Sequence, residues 1–75
     1  MVKAYEEVID FIAAGSSSVA VAQFTPSQAT MERVADLIAR EKTMGITLEE
    51  SKELEYYLQL EHIMRLAKAK ARKLV

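Results

Sequence analysis

The feature that most constrains this chain is the stretch from Thr47 to Val75, which contains neither glycine nor proline and predicts one helix over about 48–73. Glu50 follows Thr47 by three residues, the spacing of a capping box in which the hydroxyl and the carboxylate accept hydrogen bonds from two otherwise unpaired amides. Such a helix is roughly 40 Å long, whereas a compact chain of 75 residues has a radius of gyration of about 11 Å. We therefore expect the end of this helix to project beyond the core of its own chain.

An apolar seam runs along this predicted helix. Its residues are three or four positions apart, the spacing that places side chains on one face. An apolar face needs to be buried, so we expect the seam to meet a second chain, as in a homodimer or a higher oligomer. The predicted interface consists of Tyr57, Leu60, Ile63, Met64, Ala67, Ala71 and Leu74.

Two shorter amphipathic helices are predicted before it, over about 2–14 and 28–43, each with apolar residues at helical spacing. Gly15 ends the first helix, and Ser27 is a favourable N-cap for the second. Gly45 ends the second helix in a connection short enough to fold the long helix back on it as an αα-hairpin. The predicted fold is therefore a single all-α domain over 1–75 with a hairpin core.

The segment from Val19 to Phe24 is ambiguous, because its alternation of valine and alanine suits a strand while its alanines suit a helical turn. No second strand-like segment is present to pair with it. It can form a short helical turn, an extended connector, or a strand completed by another chain. We favour a short turn or a connector.

Composition excludes several classes of protein. The chain has no cysteine, so it has neither disulfides nor thiolate metal sites, and oligomerisation is the common remaining way to stabilise so short a chain. Its 10 basic and 11 acidic residues exclude a protein that coats nucleic acid through bulk charge. The longest apolar run is too short to cross a bilayer, and the first ten residues carry acids where a signal peptide needs positive charge. We expect a soluble cytoplasmic protein that does not act at a membrane.

The residues needed for catalysis do not occur together. His62 is the only histidine, Gln59 stands where a helical metal-binding motif needs glutamate, and Glu61 points about 100° away from the histidine. With two glycines there is no glycine-rich phosphate loop. We predict that the chain is not an enzyme, has no cofactor, metal ion or small-molecule substrate, and carries His62 at its surface or at a rim.

Tyr56 and Tyr57 are adjacent in the predicted helix, so one ring can pack inward while the other lies at an edge with its hydroxyl in water. Core packing is the simpler interpretation of the pair. An anchor for a partner is the alternative, because tyrosine is favoured in interfaces.

Half of the basic residues lie in the last eleven positions of the chain. They can form a solvated helix end that compensates the dipole, or they can meet an acidic partner or the phosphates of DNA or RNA. Their number allows only weak, salt-sensitive nucleic-acid binding, and no aromatic residue is available there to stack on bases. The candidate contacts are Arg65, Lys68, Lys70, Arg72 and Lys73.

Four segments together resemble a family of small bacterial proteins that is common in cyanobacteria. They are VIDFIAAG (8–15), FTPS (24–27), ERVADLIAREK (32–42) and ELEYYLQLEHIMRLAKAKAR (53–72). Some members are encoded beside a toxin, either an HNH-type nuclease or an RNase of the MazF/PemK type, and are regarded as antitoxins. The resemblance implies a protein that neutralises a nuclease, and we expect the long helix to make the main contact. The alternatives are a structural homo-oligomer and an autoregulator that binds operator DNA through the basic helix end.

Overall fold

A computed structural model describes residues 3–74 of the chain, with side chains from 3 to 73. This part folds into helices α1 (Ala4–Ala13), α2 (Ser18–Gln23), α3 (Gln28–Thr43) and α4 (Leu48–Leu74), and it contains no strand. The all-α prediction is confirmed. The ambiguous segment is α2, a short helix, which was one of the alternatives that its sequence allowed.

Side-chain caps explain where the helices begin. The Ser17 hydroxyl accepts a hydrogen bond from an amide in the first turn of α2, and Ser27 does the same for α3. At the start of α4 the Thr47 amide donates to the Glu50 carboxylate at 3.0 Å, and the Glu50 amide donates to the Thr47 hydroxyl at 3.1 Å. The predicted capping box is therefore present.

Helix α4 runs the length of the molecule, and the other three helices pack along it. The molecule measures 44 × 21 × 19 Å, and a helix of the length of α4 spans roughly 40 Å. Helix α3 meets its first half, α1 lies along its middle from Glu53 to Met64, and α2 lies against Ala67 and Ala71 in its second half. The expectation that the end of α4 projects beyond the core of its chain is wrong, because α2 covers the face that would otherwise be exposed there.

The main apolar core lies where α1 and α2 meet α4. Val8 and Tyr57 are buried at its centre together with Met64, and the rings of Phe11 and Phe24 pack against it with their centroids 4.4 Å apart. Helices α3 and α4 also pack together, and Leu37 of α3 is fully buried. The predicted hairpin is thus only part of the core, since α1 and α2 provide the rest.

Ion pairs hold α3 against the first half of α4, and a hydrogen bond to the same helix holds the start of α1. The Glu53 carboxylate is buried and accepts two hydrogen bonds from Arg33, at 3.1 and 3.0 Å, and a third from the Ala4 amide at 3.1 Å. Hydrogen bonds from Arg33 lower the pKa of Glu53. Hydrogen bonds from Arg40 likewise lower the pKa of Glu50 to about 2.

Among the described residues, no helix has the length and apolar character needed to cross a membrane.

Candidate partner-binding surfaces

The structure places most of the predicted seam inside its own chain. Tyr57, Met64 and Ala71 are buried, and their cover is α1 and α2 rather than a second chain. These residues therefore offer almost no surface to a partner while this packing persists. The predicted interface changes because α2 is a helix, which the alternating sequence of that segment did not establish.

The remaining seam positions differ in their exposure. Leu60 and Ala67 are half-buried beside the core, whereas the Ile63 side chain is exposed. The Leu74 residue closes α4, but its side chain lies outside the described part of the chain. Ile63 is thus the seam residue that is open to a partner.

An apolar strip crosses from α1 to α4, and we call it the α1/α4 strip. The rings of Tyr5 and Tyr56 meet edge to face with centroids 5.4 Å apart, and Ile12 and Ile63 line the same open groove of about 330 Å³. Ile9 stands between Tyr5 and Ile12 on α1, on the same face. The strip therefore consists of Tyr5, Ile9, Ile12, Tyr56 and Ile63.

The α1 side of this strip has an acidic edge. Helix α1 contains three acidic residues and no basic one. Glu7 points to α3, where its carboxylate accepts hydrogen bonds from the Ser27 amide at 2.7 Å and the Thr30 hydroxyl at 3.2 Å. Burial acts to raise the pKa of Glu7, but these hydrogen bonds outweigh it and the pKa is lowered. Glu7 is thus a structural residue. Asp10 lies at the edge of the strip with Glu6, whose carboxylate also accepts a hydrogen bond from the Lys3 amide at 3.0 Å.

A second groove lies between the end of α3 and the outer side of α4, and we call it the α3/α4 groove. It is open, with a volume of about 500 Å³, and buried Leu54 contributes to its lining. Glu41, Glu55 and exposed His62 also line it. These three side chains do not form a metal site, and the described residues contain no group of three ligands suited to a metal ion.

A third groove, of about 260 Å³, opens between α1, the α2–α3 connection and α4. Buried Tyr57 lies at its base beside Met64, with Glu61 and Lys68 at its margin. Burial raises the pKa of the Tyr57 phenol, and the carboxylates of Glu61 and Glu7 raise it further. The groove opens from the core to the surface beside Met64.

Two of the five basic candidates near the end of α4 make polar contacts within the chain, and the other three do not. Lys68 is half-buried and its ammonium group donates to the Phe24 carbonyl at 2.7 Å, which closes α2 on α4. Arg65 donates to Glu61 at 2.7 Å, one turn earlier on the same helix. The exposed group comprises Lys70, Arg72 and Lys73, which make no ion pair within the described part of the chain.

The α1/α4 strip was not predicted from the sequence, because the most regular apolar spacing in α4 indicates the face that is in fact the core. A signal was present in α1, where Tyr5, Ile9 and Ile12 make the apolar face wider than the packing of Val8 on α4 requires.

Comparison of the chain with protein-family models, with curated proteins and with solved structures gives no match.

Proposed function

We propose that this chain is an antitoxin-like protein that binds and blocks a nuclease, and that it does so through the α1/α4 strip. The observation that carries the proposal is the exposure of large apolar side chains along this strip. Ile9, Ile12, Tyr56 and Ile63 are exposed by 45, 49, 44 and 53%. Contiguous exposed apolar surface on a small protein is characteristic of sites that bind other proteins.

The chemistry of the strip suits a partner with an apolar patch beside a basic surface. Tyr56 offers a ring that buries apolar area and a hydroxyl that can form a hydrogen bond, a combination favoured at interface hot spots. Glu6 and Asp10 along the edge complement positive charge on the partner. A nuclease presents such charge, because it has to bind the phosphates of its substrate.

The resemblance described above supports the same class of partner, since it implies a toxin of the HNH type or of the MazF/PemK type. In this proposal α4 contributes Tyr56 and Ile63, and α1 contributes the remaining contacts. The long helix is thus one half of the binding surface, and the buried side of its seam holds that surface in place.

The direct test is a titration of a purified nuclease of either type from the source organism with this chain, followed by cleavage of a fluorescent RNA or DNA substrate. We expect an equimolar amount of the chain to abolish cleavage. The double variant Ile12→Asp/Ile63→Asp should bind at least about 100-fold more weakly, because two charges would have to be buried without partners. Both side chains are exposed, so circular dichroism should show an intact fold.

Leu66→Asp is the matched control, because Leu66 is also an exposed apolar residue of α4 but lies outside the strip. It should inhibit the nuclease as well as the unchanged protein does. If the unchanged chain in excess leaves both types of nuclease fully active, the antitoxin proposal fails. If the double variant inhibits normally, the partner binds elsewhere on the chain.

A second candidate function, binding of operator DNA, is favoured by Lys70, Arg72 and Lys73, which are exposed at the end of α4. Fluorescence anisotropy with DNA from upstream of the gene tests it. A loss of affinity as salt rises, together with a preference for that sequence over random DNA, would support it. Affinity that does not change with salt or with sequence would contradict it.

A further inference from the structure

The outer face of α4, opposite the core, carries a short apolar row. Leu58, His62 and Leu66 recur every four residues and therefore share this face. Leu58 is exposed by 44% and Leu66 by 61%. The two leucines are about 12 Å apart along the helix.

Charged residues lie at both ends of this row. Glu41 and Glu55 stand beside Leu58 in the α3/α4 groove. Lys70 and Lys73 follow Leu66 on the exposed side of α4. None of these four residues forms an ion pair within the described part of the chain. The lining of the α3/α4 groove gives the row an acidic end, and Lys70 and Lys73 give it a basic end. Lys52, five turns before Lys70 on the same side of α4, does not line the groove.

We propose that this face binds a second copy of the chain, with the two α4 helices antiparallel about a two-fold axis at His62. In that arrangement Leu58 of each copy faces Leu66 of the other. Glu55 of each copy lies opposite position 69 of the other, one residue from Lys70 and about one helical turn from Lys73. A parallel pair would instead place acid against acid and base against base, so charge complementarity selects the antiparallel dimer.

The α3/α4 groove provides the shape for this contact. It is concave at the acidic end of the row, and buried Leu54 and half-exposed Leu58 supply its apolar lining. Leu66 of the second copy and the aliphatic stem of its Lys70 fit that lining, while the ammonium group reaches the carboxylates at the margin. The two-fold axis repeats the contact, so each copy fills the groove of the other.

This dimer uses a different face from the α1/α4 strip. A charge placed on the outer face of α4 should therefore prevent dimerisation, whereas a charge placed on the strip should not. Sedimentation equilibrium should show a dimer at protein concentrations below about 1 mM. Leu66→Asp should be a monomer with unchanged helix content, and Ile63→Asp, the matched control on the strip, should remain a dimer. A chain that is monomeric at about 1 mM, or a Leu66→Asp variant that dimerises normally, would overturn the proposal.

Exchange of charges tests the pairing itself. Glu55→Lys and Lys70→Glu should each weaken the dimer by about 3-fold to 10-fold, because each places like charges together at both ends of the interface. The double variant Glu55→Lys/Lys70→Glu should recover most of the lost affinity, since opposite charges then face each other again. Additive weakening in the double variant would contradict the pairing.

The absence of cysteine from the chain allows a clean test of orientation. A His62→Cys variant places two thiols at the axis, so mild oxidation should give a covalent dimer. Ser51→Cys lies on the same side of α4 but about 33 Å from its copy in the antiparallel arrangement, so it should stay monomeric on denaturing gels. Cross-linking through Ser51→Cys, or its failure through His62→Cys, would refute the antiparallel dimer.

Discussion

Replacement of Met64 by alanine tests whether the seam of α4 is packed within its own chain. Met64 is only 5% exposed. The change removes the three groups beyond the β-carbon, which are the γ-methylene, the sulfur and the terminal methyl. At about 0.8 kcal/mol for each group, the lost transfer free energy is about 2 to 3 kcal/mol. Met64 borders two open grooves, so water can enter the space and the additional cavity cost should be small. Ile63→Ala is the matched control, and it should lower the free energy of unfolding by less than about 1 kcal/mol.

Urea denaturation followed by far-ultraviolet circular dichroism measures both losses, provided that the variants share one m-value. In thermal unfolding, Met64→Ala should lower the Tm by at least about 10 °C and Ile63→Ala by less than about 5 °C. The difference for Met64 should not depend on protein concentration, because its contacts are within one chain. Equal losses for the two variants, or a Met64→Ala effect that appears only at high protein concentration, would refute intramolecular packing of the seam.

Three further predictions concern the polar contacts that hold the helices together. Because the pKa of Glu50 is about 2 in the folded chain and that of Glu53 is also lowered, while both start from 4.5, the folded state binds fewer protons. The free energy of unfolding should therefore fall as the pH drops below about 4.5 and continue to fall toward pH 2, and a flat profile over that range would contradict it. Glu53→Gln should destabilise by about 1 to 3 kcal/mol, since it removes the charge that a partly exposed arginine pairs with, whereas the exposed control Glu49→Gln should change stability by less than about 0.5 kcal/mol. Lys68→Met keeps the apolar stem but loses the hydrogen bond to the end of α2, so calorimetry should show a loss of about 1 to 2 kcal/mol that Lys70→Met does not share.

Local signals in the sequence located much of the framework of the fold. The capping box at Thr47 and Glu50 predicts the start of α4. The second predicted helix, over 28–43, has the same bounds as α3. The adjacent tyrosines also divide as their spacing indicates, with Tyr57 buried and Tyr56 at the edge. These features depend only on a few neighbouring residues, so they can be predicted from the sequence.

The tertiary structure decided which apolar face is left open. Periodicity shows that the seam of α4 must be buried, but it cannot show what buries it, because that depends on how chain segments distant in sequence pack together. The short segment that forms α2 is held by the Lys68 contact to Phe24 and covers Met64 and Ala71 from within the chain. The open apolar surface consequently moves to positions such as Ile63 on the flank of the core and Leu66 opposite it. Sequence alone determined that α4 has an apolar face, and tertiary packing determined that this face is the core while other faces remain open to partners.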